Sequence, residues 1–561
     1  MTEVATPSEV CTQRINIARR LTETAARMSD ALAVVVPRGR RSGKRQYDTL
    51  TFRQLEEDTN RLASGLVSAG LRPGMRIALL VRPGSEFIAL VFALFKAGAV
   101  IVLVDPGMGR RNLLRCLADV EPEGFVAIPL AHVIRSVFKR RFPHARLNVT
   151  VGRRWFWDGL TIDEVRRRGS SDPICHDTRA DDPAAIIFTS GGTGPPKGVL
   201  YRHGNFDRQV TEIRDFYGIQ PGEIDLAAFP LFGLFNSAMG VTTVVPDMDA
   251  SRPASVDPRN IVEAVRDWRV TQSFGSPAIW NRVGEFCCKR NVFLPTLRRV
   301  LSAGAPVPPH VLARMRGAIA TDGEVHTPYG ATESLPVASI SAGEVLSETK
   351  QAWASGAGTC VGRKFPGIEW KVIAINDGPI AQLADAAELP LGEIGELIVS
   401  GPVVTREYVT RTEWNELAKI FDGPHVWHRL GDVGYLDERG RFWFCGRMAH
   451  RLQTASGPMY TIRCEAIFNQ HPAVYRSALV GIGQPGRQRP VIVVEPWREK
   501  RLRGRAARAK LLAELAEAAR GNALTAGIGD FLIHTAMPVD VRHNAKIARE
   551  KLAAWAARKL R

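Results

Sequence analysis

The stretch Ile186 to Tyr201, reading IIFTSGGTGPPKGVLY, constrains this chain more than any other. A short apolar strand runs straight into a loop of small and hydroxylated residues that carries one lysine. Gly191, Gly192, Gly194 and Gly198 admit backbone angles closed to other residues and let main-chain N–H groups approach an anion. Thr189, Ser190 and Thr193 add hydroxyl donors, and Lys197 adds charge. Such a loop can wrap a polyphosphate. It is not a Walker A loop, which has glycine just before its lysine and Ser or Thr just after it; here those places hold Pro196 and Gly198. A Gly-rich surface turn is the plain alternative, and the density of phosphate-binding residues behind an apolar strand speaks against it.

Other segments follow in a fixed order. Ser302 to Pro306 reads SAGAP, Tyr329 to Glu333 reads YGATE, Leu430 to Asp432 reads LGD, Gly446 precedes Arg447, and Asn544 to Arg549 reads NAKIAR. Taken singly, YGATE fits a helix start, LGD a turn, and a late lysine a solvated side chain. Taken together they resemble the adenylate-forming superfamily of acyl-CoA synthetases, luciferases and peptide-synthetase adenylation domains. Its phosphate loop reads TSG(S/T)TGxPKG, and only Gly192 departs from that pattern. The resemblance covers nearly the whole chain. It implies that ATP is bound by Thr189, Ser190, Gly191, Gly192, Thr193, Gly194 and Lys197 around the phosphates. It places Ser302, Gly304, Ala305 and Pro306 against adenine, and Tyr329 stacked on that ring with Gly330 and Thr332 beside it. Asp432 would accept from both ribose hydroxyls, with Arg447 following it. Glu333 would hold Mg2+, and Lys546 would be the catalytic lysine, assisted by Glu333 and Thr193.

A chain of 561 residues that is 45% hydrophobic can bury sizeable cores and exceeds what one core organises, so at least two domains are expected. Apolar runs at Arg76 to Val81, Val100 to Val104 and Ala184 to Phe188, with amphipathic stretches between, predict α/β layering with largely parallel sheets. We expect a large domain over 1–447 and a small mobile α+β lid over 448–561 that carries Lys546. In the lid, Ala478 to Ile482 and Val491 to Glu495 read as strands, and Ala506 to Ala519 and Ile547 to Leu560 as helices. The most membrane-like segment, Phe87 to Val104, contains Lys96 and Gly98 and reads as a buried helix and strand, not a span.

Several classes fit poorly. The start of the chain lacks the basic-then-apolar pattern of a signal peptide. Eight cysteines without a CxxC pair fit reduced thiols in a cytoplasm and suggest neither zinc nor disulfides. No GxSxG elbow is present, which counts against a serine hydrolase. The net charge of +18 would suit a nucleic-acid binder or scaffold. Its clusters at Arg38 to Arg45, Lys139 to Arg141, Arg166 to Arg168 and Arg498 to Lys510 are dispersed and lack a binding module, so solvated surface or docking to an acidic partner or anionic lipid is the better reading.

The resemblance implies that a carboxylate attacks the α-phosphate of ATP to give an acyl-AMP and pyrophosphate. For the second half reaction this chain departs from the usual synthetases. Where their PLFH motif stands it reads Pro230, Leu231, Phe232, Gly233, and two residues after Arg447 the usual acidic or lysine hinge is Ala449, followed by His450. The Gly-rich lid strand that faces pantetheine is poorly matched around Ala455 to Tyr460. An acceptor inside the substrate would need no thiol tunnel. Among adenylate-forming families the chain most resembles the olefin β-lactone synthetases, which implies a long-chain 2-alkyl-3-hydroxy fatty acid as substrate and a β-lactone as product. It also implies a thiolase-like enzyme, a reductase and a β-lactone decarboxylase as pathway neighbours. A long-chain fatty acyl-CoA synthetase is the alternative. His203, His450 and His543 are candidates, by chemistry alone, for the base that takes the hydroxyl proton.

Overall fold

The computed structural model describes residues 14–189, 194–229, 231–497, 504–539 and 547–560. One sheet has seven strands in the order Leu160–Thr161, Leu147–Thr150, Gly124–Ala127, Arg76–Leu80, Val100–Leu103, Pro183–Phe188 and Gly198–Arg202. The first six are parallel. The apolar run from Phe87 divides as expected into the helix Ser85–Lys96, buried at almost every position, and the strand Val100–Leu103. Lys96 is fully buried at the end of that helix. Its amine lies 2.6 Å from both Glu56 Oε1 and Asn60 Oδ1, so a charge inside the core is paired and hydrogen-bonded.

The phosphate-loop sequence leaves one strand and returns as its antiparallel neighbour: Pro183–Phe188 pairs with Gly198–Arg202, ending at Phe188 opposite Gly198. The hairpin is closed at its base. The Thr189 N–H donates to Lys197 O at 3.0 Å, and the Lys197 N–H donates to Thr189 Oγ1 at 3.1 Å. Among the described residues of this loop none is helical.

The larger sheet changes character midway. From the hairpin Leu32–Arg41 and Lys44–Thr51 it runs in parallel through Thr242–Val244, Ile224–Ala227, Gln272–Gly275, Arg299–Ser302 and Glu324–Ala331. It continues antiparallel through Ser334–Ser341, Thr359–Lys364, Phe442–Arg447, His425–Leu436, Gly395–Ser400 and Glu369–Ile373. The expectation of parallel sheets thus holds for the first sheet and for one half of this one. The other half includes strands joined by connections too short for a crossover, such as the turn at Asp437, whose N–H donates to Arg441 O at 3.0 Å. The change falls at the hairpin of Glu324–Ala331 and Ser334–Ser341, with Glu333 at its tip and Tyr329 in the strand leading to it. A crevice beyond the carboxyl ends of parallel strands, where the topology switches, is where α/β folds bind ligands. A continuous core from Leu21 and Phe52 through Phe92 to Phe365 and Tyr408 joins the two sheets.

The large sheet's final strand ends at Arg447, and the remaining chain builds separate small sheets. Val474–Ile482, Arg489–Pro496 and Asp530–Ile533 form one, and Leu452–Thr454 with Gly457–Met459 forms another. The helices Gly504–Arg520 and Arg549–Lys559 contribute to two separate clusters of buried residues packed with the three-stranded sheet. Arg549 ties the second helix to Thr461–Phe468 through both oxygens of Glu465, at 2.5 and 3.0 Å. Among the described residues no helix is long and apolar enough to cross a membrane.

Candidate active site

A cavity of about 1050 Å³ lies between the two sheets and the C-terminal segment, and most of the sequence-selected residues line it. Its polar wall is built largely from strands of the larger sheet. Tyr329 Oη donates to Asp432 Oδ2 at 2.5 Å, and Arg447 Nε lies 2.9 Å from Asp432 Oδ1. The register places Asp432 directly opposite Arg447 on adjoining strands, so the pairing is set by the sheet itself. Arg447 Nη1 also donates to Leu430 O at 2.9 Å. The Asp432 carboxylate raises the guanidinium pKa against the opposing effect of burial. Burial, then the same carboxylate, drives the Tyr329 phenol well above its ordinary value. Ser302, Gly304, Ala305 and Pro306 line the adjoining wall, with Gly330 and Thr332 beside Tyr329.

Glu333 is only 8% exposed, and its Oε1 accepts from Tyr408 Oη at 2.5 Å. Its main-chain oxygen accepts from the Thr405 N–H at 2.9 Å and Thr405 Oγ1 at 3.0 Å. Lys197 Nζ lies over two rings, 4.8 Å from the centroid of Tyr408 and 4.4 Å from that of Trp414. Burial lowers the Lys197 pKa, with Glu333 opposing that shift. Beneath this group Lys419 is buried and donates to Thr405 O at 2.5 Å, and burial pushes its amine down to about 7. His428, also buried, has Nδ1 2.9 Å from Ala418 O and is held well below its usual range by burial, then by Lys419.

The opposite end of the cavity is apolar. Val91, Phe92 and Phe95 project from one helix, Phe206 and Val210 from His203–Tyr217, and Leu234 and Phe235 from Phe232–Met239. The C-terminal segment closes a third side with Thr461, Glu465, Trp497, Ile547 and Arg549, and His310 meets the Trp497 ring at 6.4 Å.

Ser190, Gly191, Gly192, Thr193, Pro230, His543 and Lys546 lie outside the described residues. Thr189, Gly194 and Lys197 line the cavity at the loop's two ends. Gly233 does not border it among the described residues. A Cβ at that position would meet Thr243 Cγ2 at 3.2 Å, Ala227 Cβ at 3.7 Å and Ile88 Cδ1 at 3.9 Å, while Leu231 and Leu234 on either side line the cavity. Ala449 and His450 do line the cavity. His450 Nε2 faces Glu550 at 3.7 Å, and burial, then Arg549, lowers the ring to about 4. His203 is a core residue: its Nδ1 accepts from the Ile17 N–H at 3.3 Å and its ring meets Phe95. Sequence reasoning missed Tyr408, Trp414, Lys419 and His428. None lies in a glycine-rich or otherwise biased stretch, and only the packing of the antiparallel half brings them under Glu333.

A mixed α/β frame, a hairpin loop with a half-buried lysine, and a cavity polar at one end and apolar at the other are the features of an enzyme that pairs a charged cosubstrate with an apolar one. The chain belongs to the AMP-binding enzyme family, whose profile matches residues 21–409. It is 48% identical, over 97% of both chains, to an olefin beta-lactone synthetase of Xanthomonas campestris pv. campestris. It is 47% identical to one of Stenotrophomonas maltophilia, over 97% of this chain and 98% of that one. The fold is similar to that of ATP-bound MatB from Rhodopseudomonas palustris, with a TM-score of 0.78 at 20% identity over 98% of this chain and 100% of that one.

Proposed function

We propose that the protein is an olefin β-lactone synthetase, which adenylates a long-chain 2-alkyl-3-hydroxy fatty acid and closes it to a β-lactone. The observation that carries this reading is the near-half identity along the whole chain to two olefin beta-lactone synthetases. The cavity agrees with it, since a charged nucleotide and two alkyl chains need opposite surroundings in one enclosure. A substrate carboxylate oxygen bonds to the α-phosphorus of ATP, the bond to the β-phosphate oxygen breaks, and pyrophosphate leaves. The 3-hydroxyl oxygen then attacks the acyl carbon, the acyl–phosphate bond breaks, AMP leaves, and the hydroxyl proton passes to a base. A strained four-membered ring needs an activated acyl group, water exclusion and an enforced geometry.

We assign nucleoside positioning to Asp432, Arg447 and Tyr329, and adenine contact to Ser302, Gly304, Ala305 and Pro306. The loop from Thr189 to Gly194 and Lys197 would take the phosphates. Lys546, on a lid formed by 448–561, would neutralise charge at the reacting phosphate. Glu333 suits Mg2+: its carboxylate is a hard oxygen donor at the cavity wall. Mg2+ would offset the triphosphate charge; Tyr408 and Thr405 fix the Glu333 side chain and backbone. A cytoplasmic location fits the described cysteines, which are all free. The thiolase-like enzyme, reductase and β-lactone decarboxylase named above would supply the acid and consume the lactone. The test is product identification after incubation with ATP, Mg2+ and the 3-hydroxy acid, with and without CoA. The lactone should form in both; an acyl-CoA formed only with CoA would overturn the proposal.

A further inference from the structure

At the edge of the seven-stranded sheet farthest from the phosphate loop, one surface inverts the usual sorting of side chains. On the helix Pro129–Val137 the fully buried side chain is His132, while Leu130 is 63% and Val137 71% exposed. Leu130, Ile134 and Val137 recur at helical spacing, so they share one face. Beside the helix lies the loop that ends in Trp157. Trp157 is buried, stacks on His132 at 5.4 Å and donates to Thr150 Oγ1 at 2.8 Å, which fixes the loop against the helix. Its neighbours Trp155 and Phe156, 57% and 71% exposed, are packed around that anchor at 5.6 and 5.1 Å yet face solvent.

The charge around these side chains is predominantly positive, although Asp158 directly follows Trp157. From Gly124 to Trp157 the chain has cations at 135, 139, 140, 141, 146, 153 and 154 and no Asp or Glu. Lys139, Arg140, Arg141 and Arg153 are exposed and make no ion pair among the described residues; Arg154 reaches Glu164 at 3.5 Å. Scattered exposed apolar residues are ordinary, but an aromatic and aliphatic group beside four exposed cations without an ion pair among the described residues is not. A protein interface core is depleted in charge. Trp, Phe and Leu beside Lys and Arg is the composition of surfaces that lie in the headgroup region of an anionic bilayer.

We propose that this face, built from the helix Pro129–Val137 and residues 138–157, docks the protein peripherally on an anionic lipid bilayer. Trp155, Phe156, Leu130 and Val137 enter the headgroup boundary, and Lys139, Arg140, Arg141 and Arg153 meet lipid phosphates. The inference does not depend on the reaction proposed above, and none of these residues lines the cavity.

Co-sedimentation of the full chain with phosphatidylcholine vesicles, alone or mixed with phosphatidylglycerol, tests it. Binding is expected to the mixed vesicles and to weaken in high salt. K139Q/R140Q/R141Q should lower partitioning on the order of a hundredfold, at roughly fivefold per cation. Trp155→Ser with Phe156→Ser should abolish the binding that persists in salt. Both variants should keep wild-type ATP-dependent turnover of a detergent-dispersed acid, showing that the fold is intact. The proposal is overturned if the wild type ignores phosphatidylglycerol, or if the variants sediment as it does, which would place binding at another basic cluster. It is equally overturned if the variants lose only a contact with a purified protein, since the face would then be a protein interface.

Discussion

The polar and apolar ends of the one cavity are built by opposite means. The polar end is a relay of fixed contacts. Asp432 is held by Arg447 and Tyr329, and Glu333 by Tyr408 and by Thr405, which in turn accepts from Lys419. Each group there has its charge answered by a neighbour, so the wall is organised before any ligand arrives. The apolar end is made of rings and aliphatic groups from helices: Phe95, Phe206 and Phe235 lean on one another, with Phe92 and Leu234 lining the same end. Preorganisation therefore belongs to the charged chemistry, which is costly to leave unpaired, and adaptability to the alkyl chains, which need volume more than direction.

Removing charge from the reacting phosphate should have the largest effect. Lys546→Ala should keep the far-ultraviolet circular dichroism of the wild type and lose adenylation by at least ~10², on the order of 3 kcal/mol, measured as pyrophosphate release. Near wild-type release would remove that lysine from the chemistry. Next, Asp432→Ala strips Arg447 and Tyr329 of their shared partner and should weaken ATP binding about 30-fold, roughly 2 kcal/mol, in calorimetry. Unchanged affinity would break the proposed link between the relay and the ribose.

The apolar end should respond independently. Leu234→Trp shortens it, so KM for long-chain acids should rise on the order of tenfold while ATP affinity stays constant. A matching loss of ATP affinity would show that the two ends are coupled. The smallest effect concerns Lys419, whose amine is lowered to about 7 by burial in the folded chain and titrates at its ordinary value of 10.5 when exposed. Between those values the unfolded chain binds more protons, so this group makes stability rise with pH from about 7 toward 10.5. Lys419→Met should flatten the rise of Tm across that window; an unaltered slope would mean that Lys419 is not the titrating group.

The same contrast explains what could be read from the sequence. Thr189, Lys197, Ser302, Tyr329, Glu333 and Asp432 are legible because each lies in a short contiguous stretch that resembles an adenylate-forming motif, and all six line the cavity. The helix and strand within Phe87 to Val104 are legible too, since Lys96 and Gly98 interrupt the apolar run. Tyr408, Trp414 and Lys419 escape notice because their place beside Glu333 and Lys197 comes from the folding of the segment between Ser400 and His425, which carries no motif.

The central claim is that the acceptor is inside the substrate, and the sharpest test compares turnover of two acids that differ only at carbon 3. The 2-alkyl-3-hydroxy acid should release AMP over many cycles at a rate independent of CoA. Its 3-deoxy counterpart should yield at most one acyl-AMP per active site, followed by slow hydrolysis. Rapid CoA-dependent turnover of the 3-deoxy acid, with an acyl-CoA product by mass spectrometry, would contradict the account and make the chain an ordinary acyl-CoA synthetase.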